Sequence, residues 1–193
     1  LFEELGHRPT EGTVSYRLAA IARGLGRPRA ARRFAGQAIA AGEASSTRTT
    51  VAFGHINLAR LDLDAGDTAG AATHLGEALL ALDPVADRWV LADGLETVAR
   101  LADLTGTDGA GPLLDEAGAI RDAIHQPVAP TEAADVTAAR ARQPARGGRR
   151  RPEATTAPSA AEGTAAAHRA AIGIARDLAR PSQAPTPLRR ARG

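Results

Sequence analysis

The chain has 193 residues and a formal net charge of +2, and it contains no cysteine and no methionine. The lack of cysteine excludes disulfides, thiolate metal sites, iron–sulfur clusters and cysteine nucleophiles. No run of about 18 apolar residues is present, which excludes a transmembrane helix, and the first residues lack the basic and apolar regions of a signal peptide. We therefore expect a cytoplasmic protein without a membrane partner.

A 40-residue repeat runs through the first two thirds of the chain. Gly26, Gly66 and Gly106 are equally spaced, and other positions recur in the same register: Leu18/Leu58/Val98, Ile21/Leu61/Leu101, Ala31/Ala71/Gly111 and Ala38/Ala78/Gly118. Self-similarity at a fixed period of this length is typical of helical repeat arrays. The pattern predicts a repeat domain over 1–125, with units at 7–44, 45–84 and 85–125. Residues 1–6 are then the end of a preceding unit in a longer parent protein.

Each unit is predicted to be two helices joined by a turn at its glycine. In the middle unit, apolar residues at helical spacing predict a helix on either side of Gly66. Glycine ends a helix well because a positive φ costs it little, and Asp67 is placed to cap the next helix. Asp87 and Asp108 are the corresponding predicted caps in the third unit. A hairpin cannot cover its own apolar face, so we expect an all-α solenoid of about three stacked hairpins.

Residues 126–193 are predicted to be a mostly disordered tail rich in proline, alanine and arginine. The net charge is −7 over residues 1–138 and +9 over residues 139–193. A segment with so few apolar side chains cannot offset its ordering entropy, and the proline-free stretch 160–180 lacks a convincing apolar face for more than a marginal helix. The arginines favour either non-specific, salt-sensitive contact with nucleic-acid phosphates or a solvated tail, which a shift out of the ancestral reading frame would also produce.

The sequence holds no recognisable catalytic or metal-binding constellation. His55 and His74 fall on the paired helices of the middle unit, but two histidines do not close a metal site. Asp62 and Asp64 are two residues apart and point to different sides of a helix. All 24 basic residues are arginine, so the lysine of a phosphate-binding loop cannot exist. We therefore expect no enzyme activity, no metal and no cofactor.

The middle unit resembles the tetratricopeptide repeat. The matching features are the small residue after Leu58, the Gly66-Asp67 turn, and the alternation of small and large residues in the second helix. The step of 40 is longer than that family's, and is closer to the helical repeats of large ATP-dependent bacterial transcription regulators of the LuxR/AfsR kind, common in actinobacteria. Residues 1–8 are similar to the LFxELGDR joints of those repeats, and residues 87–124 look like their last repeat. The resemblance ends after Arg142.

The resemblance implies a non-catalytic region that binds a protein partner or senses an effector within such a signal-transduction regulator. In tetratricopeptide arrays the first helix of each unit lines the concave face. Carried over onto this sequence, the groove-facing positions are Thr13, Tyr16, Arg23, Phe53, Ile56, Arg60, Asp64, Asp93, Glu96, Arg100 and Asp103.

Tyrosine, arginine and mixed charges suit a groove that binds a protein or peptide partner. The alternatives are an ordinary solvated helix surface, or contacts with other domains of the parent chain. Trp89 is expected to anchor the packing between units. The alternative function is a free-standing adaptor whose basic tail binds nucleic acid non-specifically.

Overall fold

The computed structural model of the chain describes residues 8–143 and 159–180, and this part is all-α, as predicted. No strand occurs in these two ranges. Its helices are α1 (Arg8–Gly24), α2 (Pro28–Ala44), α3 (Arg48–Asp64), α4 (Thr68–Ala81), α5 (Arg88–Thr105), α6 (Ala110–Ile124), α7 (Ala133–Arg142) and α8 (Ala160–Ala179). The predicted end of a preceding repeat at residues 1–6 lies outside the described residues.

The first six helices form consecutive hairpins that stack in sequence order into a solenoid. α1 pairs with α2, α3 with α4, and α5 with α6, while α2 packs on α3 and α4 packs on α5. α1, α3 and α5 also contact one another and form one layer. Helices α1 to α5 begin at residues 8, 28, 48, 68 and 88. The 40-residue repeat is therefore two helix–turn steps of equal length.

The three repeat glycines lie in equivalent turns, which confirms their predicted role. Gly26, Gly66 and Gly106 have φ values of 66°, 78° and 68°. Asp67 caps α4 as predicted, because its Oδ1 accepts a hydrogen bond of 2.8 Å from the backbone N–H of Gly70. Ser46 has a φ of 54° in the turn between α2 and α3, so the same turn geometry recurs at the half-step of the repeat.

The two predicted caps of the third unit do not act as caps. Asp87 directly precedes α5, but its carboxylate accepts from the backbone N–H of Asp83 at 3.0 Å instead of from the helix. Asp108 is displaced because this turn contains a second positive-φ glycine, Gly109, at φ 110°. α6 starts at Ala110, four residues after Gly106, whereas α2 and α4 start two residues after Gly26 and Gly66.

Small residues bring the helices close together. The recurring alanines at positions 31, 38, 71 and 78 have no exposed surface. A Cβ added to Gly54 would lie 2.5 Å from Cγ1 of Ile39, so α3 approaches α2 more closely than any larger residue would allow. Close packing of this kind explains how a core with few aromatic residues reaches the density of a folded interior.

Two segments that the sequence placed in a disordered tail are helices packed on the solenoid, so the prediction was wrong for them. α7 contacts α5 and α6, and α8 contacts α4, α5 and α6. α8 begins with a capping box between Ser159 and Glu162, and it buries Ala171 and Ala175. The face of α8 was missed because alanine adds little apolar area unless two backbones approach closely. Residues 144–158 and 181–193 of the predicted tail lie outside the described residues.

The turn geometry predicts opposite effects for two glycine-to-alanine changes. We expect Gly66→Ala to lower the free energy of unfolding by about 1 kcal/mol, because a Cβ disfavours the positive φ of this turn. Gly36→Ala should raise it by about 0.5–1 kcal/mol, because Gly36 lies inside α2 and an added Cβ meets nothing within 4 Å. Urea unfolding of both variants measures the two shifts, and equal signs would contradict the assigned turn.

Candidate protein-binding face

Side chains from α1, α3 and α5 converge on one side of the solenoid, which we call the inner face. It is defined by Tyr16, Arg23, Phe53, Arg60 and Arg100, all of which the sequence predicted to line a groove. Their contacts, described below, join them into an aromatic cluster and an ionic network. These residues are therefore not an ordinary solvated helix surface.

One of the predicted groove residues lies elsewhere. Ile56 has no exposed surface and belongs to the apolar core. A helix in the middle of the solenoid is covered on several sides, so only a narrow arc of α3 reaches the inner face. Thr13 is half-buried on α1.

The aromatic residues of the inner face form one cluster. The rings of Tyr16 and Phe53 are stacked with centroids 4.4 Å apart, and the rings of Phe53 and Trp89 are tilted with centroids 4.4 Å apart. Tyr16 and Phe53 are 8% and 5% exposed. Aromatic pairs at such separations add to the stability gained by burial. Trp89 thus joins the second unit to the third, which is the anchoring contact predicted for it.

Arg23 and Arg100 share their carboxylate partners. The guanidinium of Arg23 donates to both oxygens of Asp64, at 2.6 and 2.9 Å, and to Asp135 at 2.7 Å. Arg100 donates to the same two carboxylates, at 2.8 Å for Asp64 and 3.2 Å for Asp135. Partial burial would raise the pKa of Asp64, but hydrogen bonds from the two arginines outweigh it and lower that pKa. α1, α3 and α5 are thereby linked through α7.

Arg60 lies at the buried centre of the network. Its side chain is 6% exposed, and it pairs with Asp93 at 2.6 Å and with Glu132 at 3.2 Å. It also donates to the hydroxyl of Thr97 at 3.2 Å. Burial by itself would lower the pKa of the Arg60 guanidinium, but the charges of Glu132 and Asp93 raise it above its ordinary value. The charged form is therefore the stable one.

Glu96 and Asp103 pair with arginines from other helices. Both carboxylate oxygens of Glu96 accept from Arg121 of α6, at 2.7 and 2.8 Å. Asp103 accepts from Arg142 of α7 at 2.5 Å. A bidentate arginine–carboxylate pair is geometrically specific. These two predicted groove residues hold α5 to its neighbours.

Residues of the segment before and within α7 complete the inner face, and sequence analysis missed them. Glu132 precedes α7 and Asp135 lies in its first turn. The Glu132 carboxylate accepts from Arg23 at 2.8 Å, in addition to its pair with Arg60. The available signal was charge, because both residues fall within the acidic part of the chain that ends at residue 138.

A pocket of about 300 Å³ opens beside the aromatic cluster. Its lining combines the three aromatic residues with Asn57, Arg60, Asp93 and Glu132, and the exposed residues Arg17 and Ile21 also line it. Within the described ranges, Asn57 Oδ1 and Glu132 Oε1 are buried side-chain atoms that lack a hydrogen-bond partner. The pocket therefore offers both ring surfaces and polar groups to an incoming side chain.

The two histidines of the middle unit do meet. Nδ1 of His55 lies 3.2 Å from Nδ1 of His74, and Nε2 of His74 lies 3.7 Å from the carboxylate of Asp62. That carboxylate also accepts from Arg32 at 2.6 Å, so Asp62 is already paired with a cation. In residues 8–143 and 159–180, no group of three or more metal-ligating side chains is close enough to hold an ion.

The histidine pair predicts a loss of stability in mild acid. Burial lowers the pKa of His55 below its ordinary 6.5, and the charge of His74 lowers it further, against the opposing effects of Glu77 and Glu43. The unfolded chain therefore binds this proton at a higher pH than the folded chain. The contribution of neutral His55 to the free energy of unfolding is fully present above the pKa that His55 has in the unfolded chain. This contribution is lost as the pH falls through the lower pKa that His55 has in the folded chain.

Replacing His55 with glutamine should reduce this acid sensitivity. We expect the free energy of unfolding to fall less between about pH 8 and pH 5 in His55→Gln than in the wild type. Urea unfolding at several pH values measures the slope. His125→Gln, at an exposed position after α6, is the control that should keep the wild-type slope, and an unchanged slope in His55→Gln would contradict the assignment.

None of the described helices combines the length and apolar character needed to cross a bilayer. Comparisons with family models, with curated proteins and with solved structures find no match for this chain.

Proposed function

We propose that this chain is a non-catalytic helical repeat region that binds a protein segment on its inner face. The observation that carries the proposal is the placement of an aromatic-lined pocket beside three converging arginines, Arg23, Arg60 and Arg100. Aromatic residues and arginine are enriched among the side chains that supply most binding energy in protein interfaces. The helices α1, α3 and α5 also contact one another and bring these side chains together on one face, which is the arrangement of a helix-lined peptide groove.

Exposed apolar residues form a stripe on α1, and this stripe supports the proposal that the repeats of this chain belong to a longer array. Leu18 and Ile21 are 37% and 52% exposed, whereas Leu61 and Leu101, which correspond to Ile21 in the repeat register, are 4% and 0% exposed. In the later units the second helix of the preceding unit packs against the first helix, and Leu61 of α3 lies in one apolar cluster with Ala31 of α2. The stripe on α1 suits the same contact with one further unit.

Together with the sequence resemblance, the stripe favours a parent protein of the LuxR/AfsR kind. In such an ATP-dependent transcription regulator, the repeat region would hold a partner or an effector-bound domain and pass its presence on to the rest of the chain. Binding, and not bond chemistry, is then the activity of this region.

A peptide-display selection against the whole chain tests the binding function. We expect selected peptides to lose affinity for Arg17→Glu, because Arg17 is exposed and lines the inner-face pocket. Arg33→Glu is a matched control: Arg33 is also exposed, and both arginines lie over an aromatic ring, at 5.7 Å from Tyr16 and 4.9 Å from Phe34. Peptides that bind both variants equally would place the binding surface elsewhere.

The charge asymmetry favours a second function, a free-standing adaptor that attracts nucleic acid. Residues 139–193 contain 12 arginines and three acidic residues, and contacts with phosphates weaken steeply with salt. Replacing Arg149, Arg150 and Arg151 with glutamine should then weaken binding to duplex DNA and flatten its salt dependence. Binding that is absent in the wild type, or unchanged in the variant, removes this function.

A further inference from the structure

We propose that residues 127–142 occupy the inner face as a built-in ligand, and that the partner is an acidic protein segment with carboxylates three residues apart that displaces them. We call residues 127–142 the strap. This inference rests on the proposed function, because it names the chemistry of the partner at the same face.

The strap contacts the inner face through two carboxylates in ligand-like positions. Oε2 of Glu132 lies 2.8 Å from Arg23 and 3.2 Å from Arg60, and Oδ2 of Asp135 lies 2.7 Å from Arg23. Residues three apart share one side of a helix, so a single short helix presents both carboxylates at once. A segment with the same spacing would meet the same arginines.

Three arginines of the inner face lose carboxylate partners when the strap leaves. Of the four carboxylates that, within the described residues, form ion pairs with the arginines at positions 23, 60 and 100, Glu132 and Asp135 leave, and Asp64 and Asp93 remain. Partly desolvated cations that lose a carboxylate partner are destabilised, so the vacated positions of Glu132 and Asp135 favour an acidic segment over a neutral or basic one. Electrostatic complementarity of this kind selects the partner as well as speeding its encounter.

The strap makes few apolar contacts with the solenoid, so a competing acidic segment has little apolar area to displace. α7 has only ten residues, and Ala139 is its one buried residue. Helices this short are marginal without tertiary contacts, and the apolar area that holds α7 is small. Arg142 pairs with Asp103 although its own side chain is 56% exposed. The Asp103 side chain is 9% exposed, and solvent screening of the exposed guanidinium reduces what this pair contributes to stability.

The strap also leaves its site imperfectly paired. Oε1 of Glu132 is buried and, among the described residues, lacks a hydrogen-bond partner. A buried acceptor left unpaired is costly. A competing carboxylate that pairs both of its oxygens with the arginines avoids that cost, so a foreign segment can bind more tightly than the built-in one.

The chain's own segment is the probe that tests displacement. A fluorescent peptide of residues 126–143 is titrated into the full chain and into the double variant Glu132→Gln/Asp135→Asn. We expect the variant to bind the peptide at least about tenfold more tightly, because occupancy by the strap reduces the fraction of open sites. Raising the salt concentration should weaken this binding. A peptide with the same two substitutions should bind the variant at least about tenfold more weakly, since it lacks the carboxylates.

A matched control separates the strap from net charge. The double variant Asp108→Asn/Asp122→Asn removes two exposed carboxylates and should bind the peptide no better than the wild type does. Equal affinity of the peptide for the wild type and both variants, or no binding to the strap variant, overturns the inference. Peptides selected on the wild type that still depend on Arg17 would leave the proposed function standing in that case.

A reversible lock gives an independent readout. A Cβ added to Gly24 would lie 3.3 Å from Cγ2 of Thr131. The sulfur of a cysteine at 131 can occupy the place of that Cγ2, which brings it close enough for a disulfide to a cysteine at 24, and the natural chain has no cysteine to interfere. We introduce Gly24→Cys and Thr131→Cys into the strap variant. Oxidation should abolish peptide binding and reduction should restore it. Equal binding of the peptide to the oxidised and the reduced protein overturns the inference.

Discussion

Replacing Arg60 with alanine is expected to lower the free energy of unfolding by about 3–5 kcal/mol. The guanidinium lies between Asp93 and Glu132, whose side chains are 13% and 4% exposed. Its removal leaves Glu132 with Arg23, and Asp93 with Arg121 at 3.7 Å, as the remaining cations among the described residues. Two largely buried carboxylates thereby lose the cation that lies between them, and breaking a buried pair costs far more than a surface ion pair contributes. Urea unfolding at neutral pH measures the loss.

Arg100→Ala is the matched comparison for this prediction. Arg100 also pairs with two carboxylates from two helices, but its partners Asp64 and Asp135 are 37% and 30% exposed. Water replaces the lost contacts at such positions, so we expect a loss of at most about 1 kcal/mol. Equal losses in the two variants would mean that burial does not decide the contribution of these pairs.

A compensating change tests the physical cause. In Arg60→Met/Glu132→Gln, the buried cation and one buried anion are removed together, and an apolar side chain fills the space. We expect this double variant to recover part of the stability lost in Arg60→Ala, because replacing a buried ion pair is often close to neutral whereas breaking one is not. A loss as large as that of the single variant would point to packing as the cause.

The solenoid could be predicted because its determinants are local and repeated. Glycines at a fixed step mark turns that need a positive φ, and small residues between them mark close helix contacts. Gly26, Gly66 and Gly106 meet this expectation with φ values within 12° of one another. The caps of the third unit were predicted less well, since Gly109 adds a second left-handed residue to that turn.

The helices after residue 125 could not be predicted, because their stability depends on surfaces that only the folded solenoid provides. α5 is buried on nearly all sides, because α7 and α8 cover it in addition to the helices of the three hairpins. α8 buries alanines whose apolar area is small, and α7 is held by charges. Neither segment shows the strong helical periodicity that identified the earlier helices.

The inner-face residues were predicted by position, whereas their pairing was not. The resemblance placed Arg23, Arg60 and Arg100 on first helices, and these helices do lie side by side. A sequence does not reveal that Glu132 and Asp135 reach all three arginines, because those contacts join residues that are 35 to 112 positions apart. Whether the face binds a partner stays a prediction.

Placing a carboxylate in the interface between α8 and α4 is expected to detach α8 from the solenoid. Ala171 has no exposed surface and lies on the side of α8 that carries His168, whose Nε2 is 2.8 Å from the backbone oxygen of Leu79 in α4. Ala171→Asp would bury a charge in this interface, which costs several kcal/mol unless the group finds a partner or returns to water. Detachment of α8 is the lower-energy outcome, so the loss is limited to the free energy with which α8 docks.

Trypsin reports this opening directly, because α8 contains Arg169 and Arg176. We expect cleavage after these residues to be at least about tenfold faster in Ala171→Asp than in the wild type, since cleavage follows the population of the open form. Ala170→Asp is the matched control: position 170 is exposed on the same helix, and the helix-propensity cost is the same. Equal acceleration in both variants would mean that the α8 helix itself, and not its docking on α4, is what the substitution disturbs.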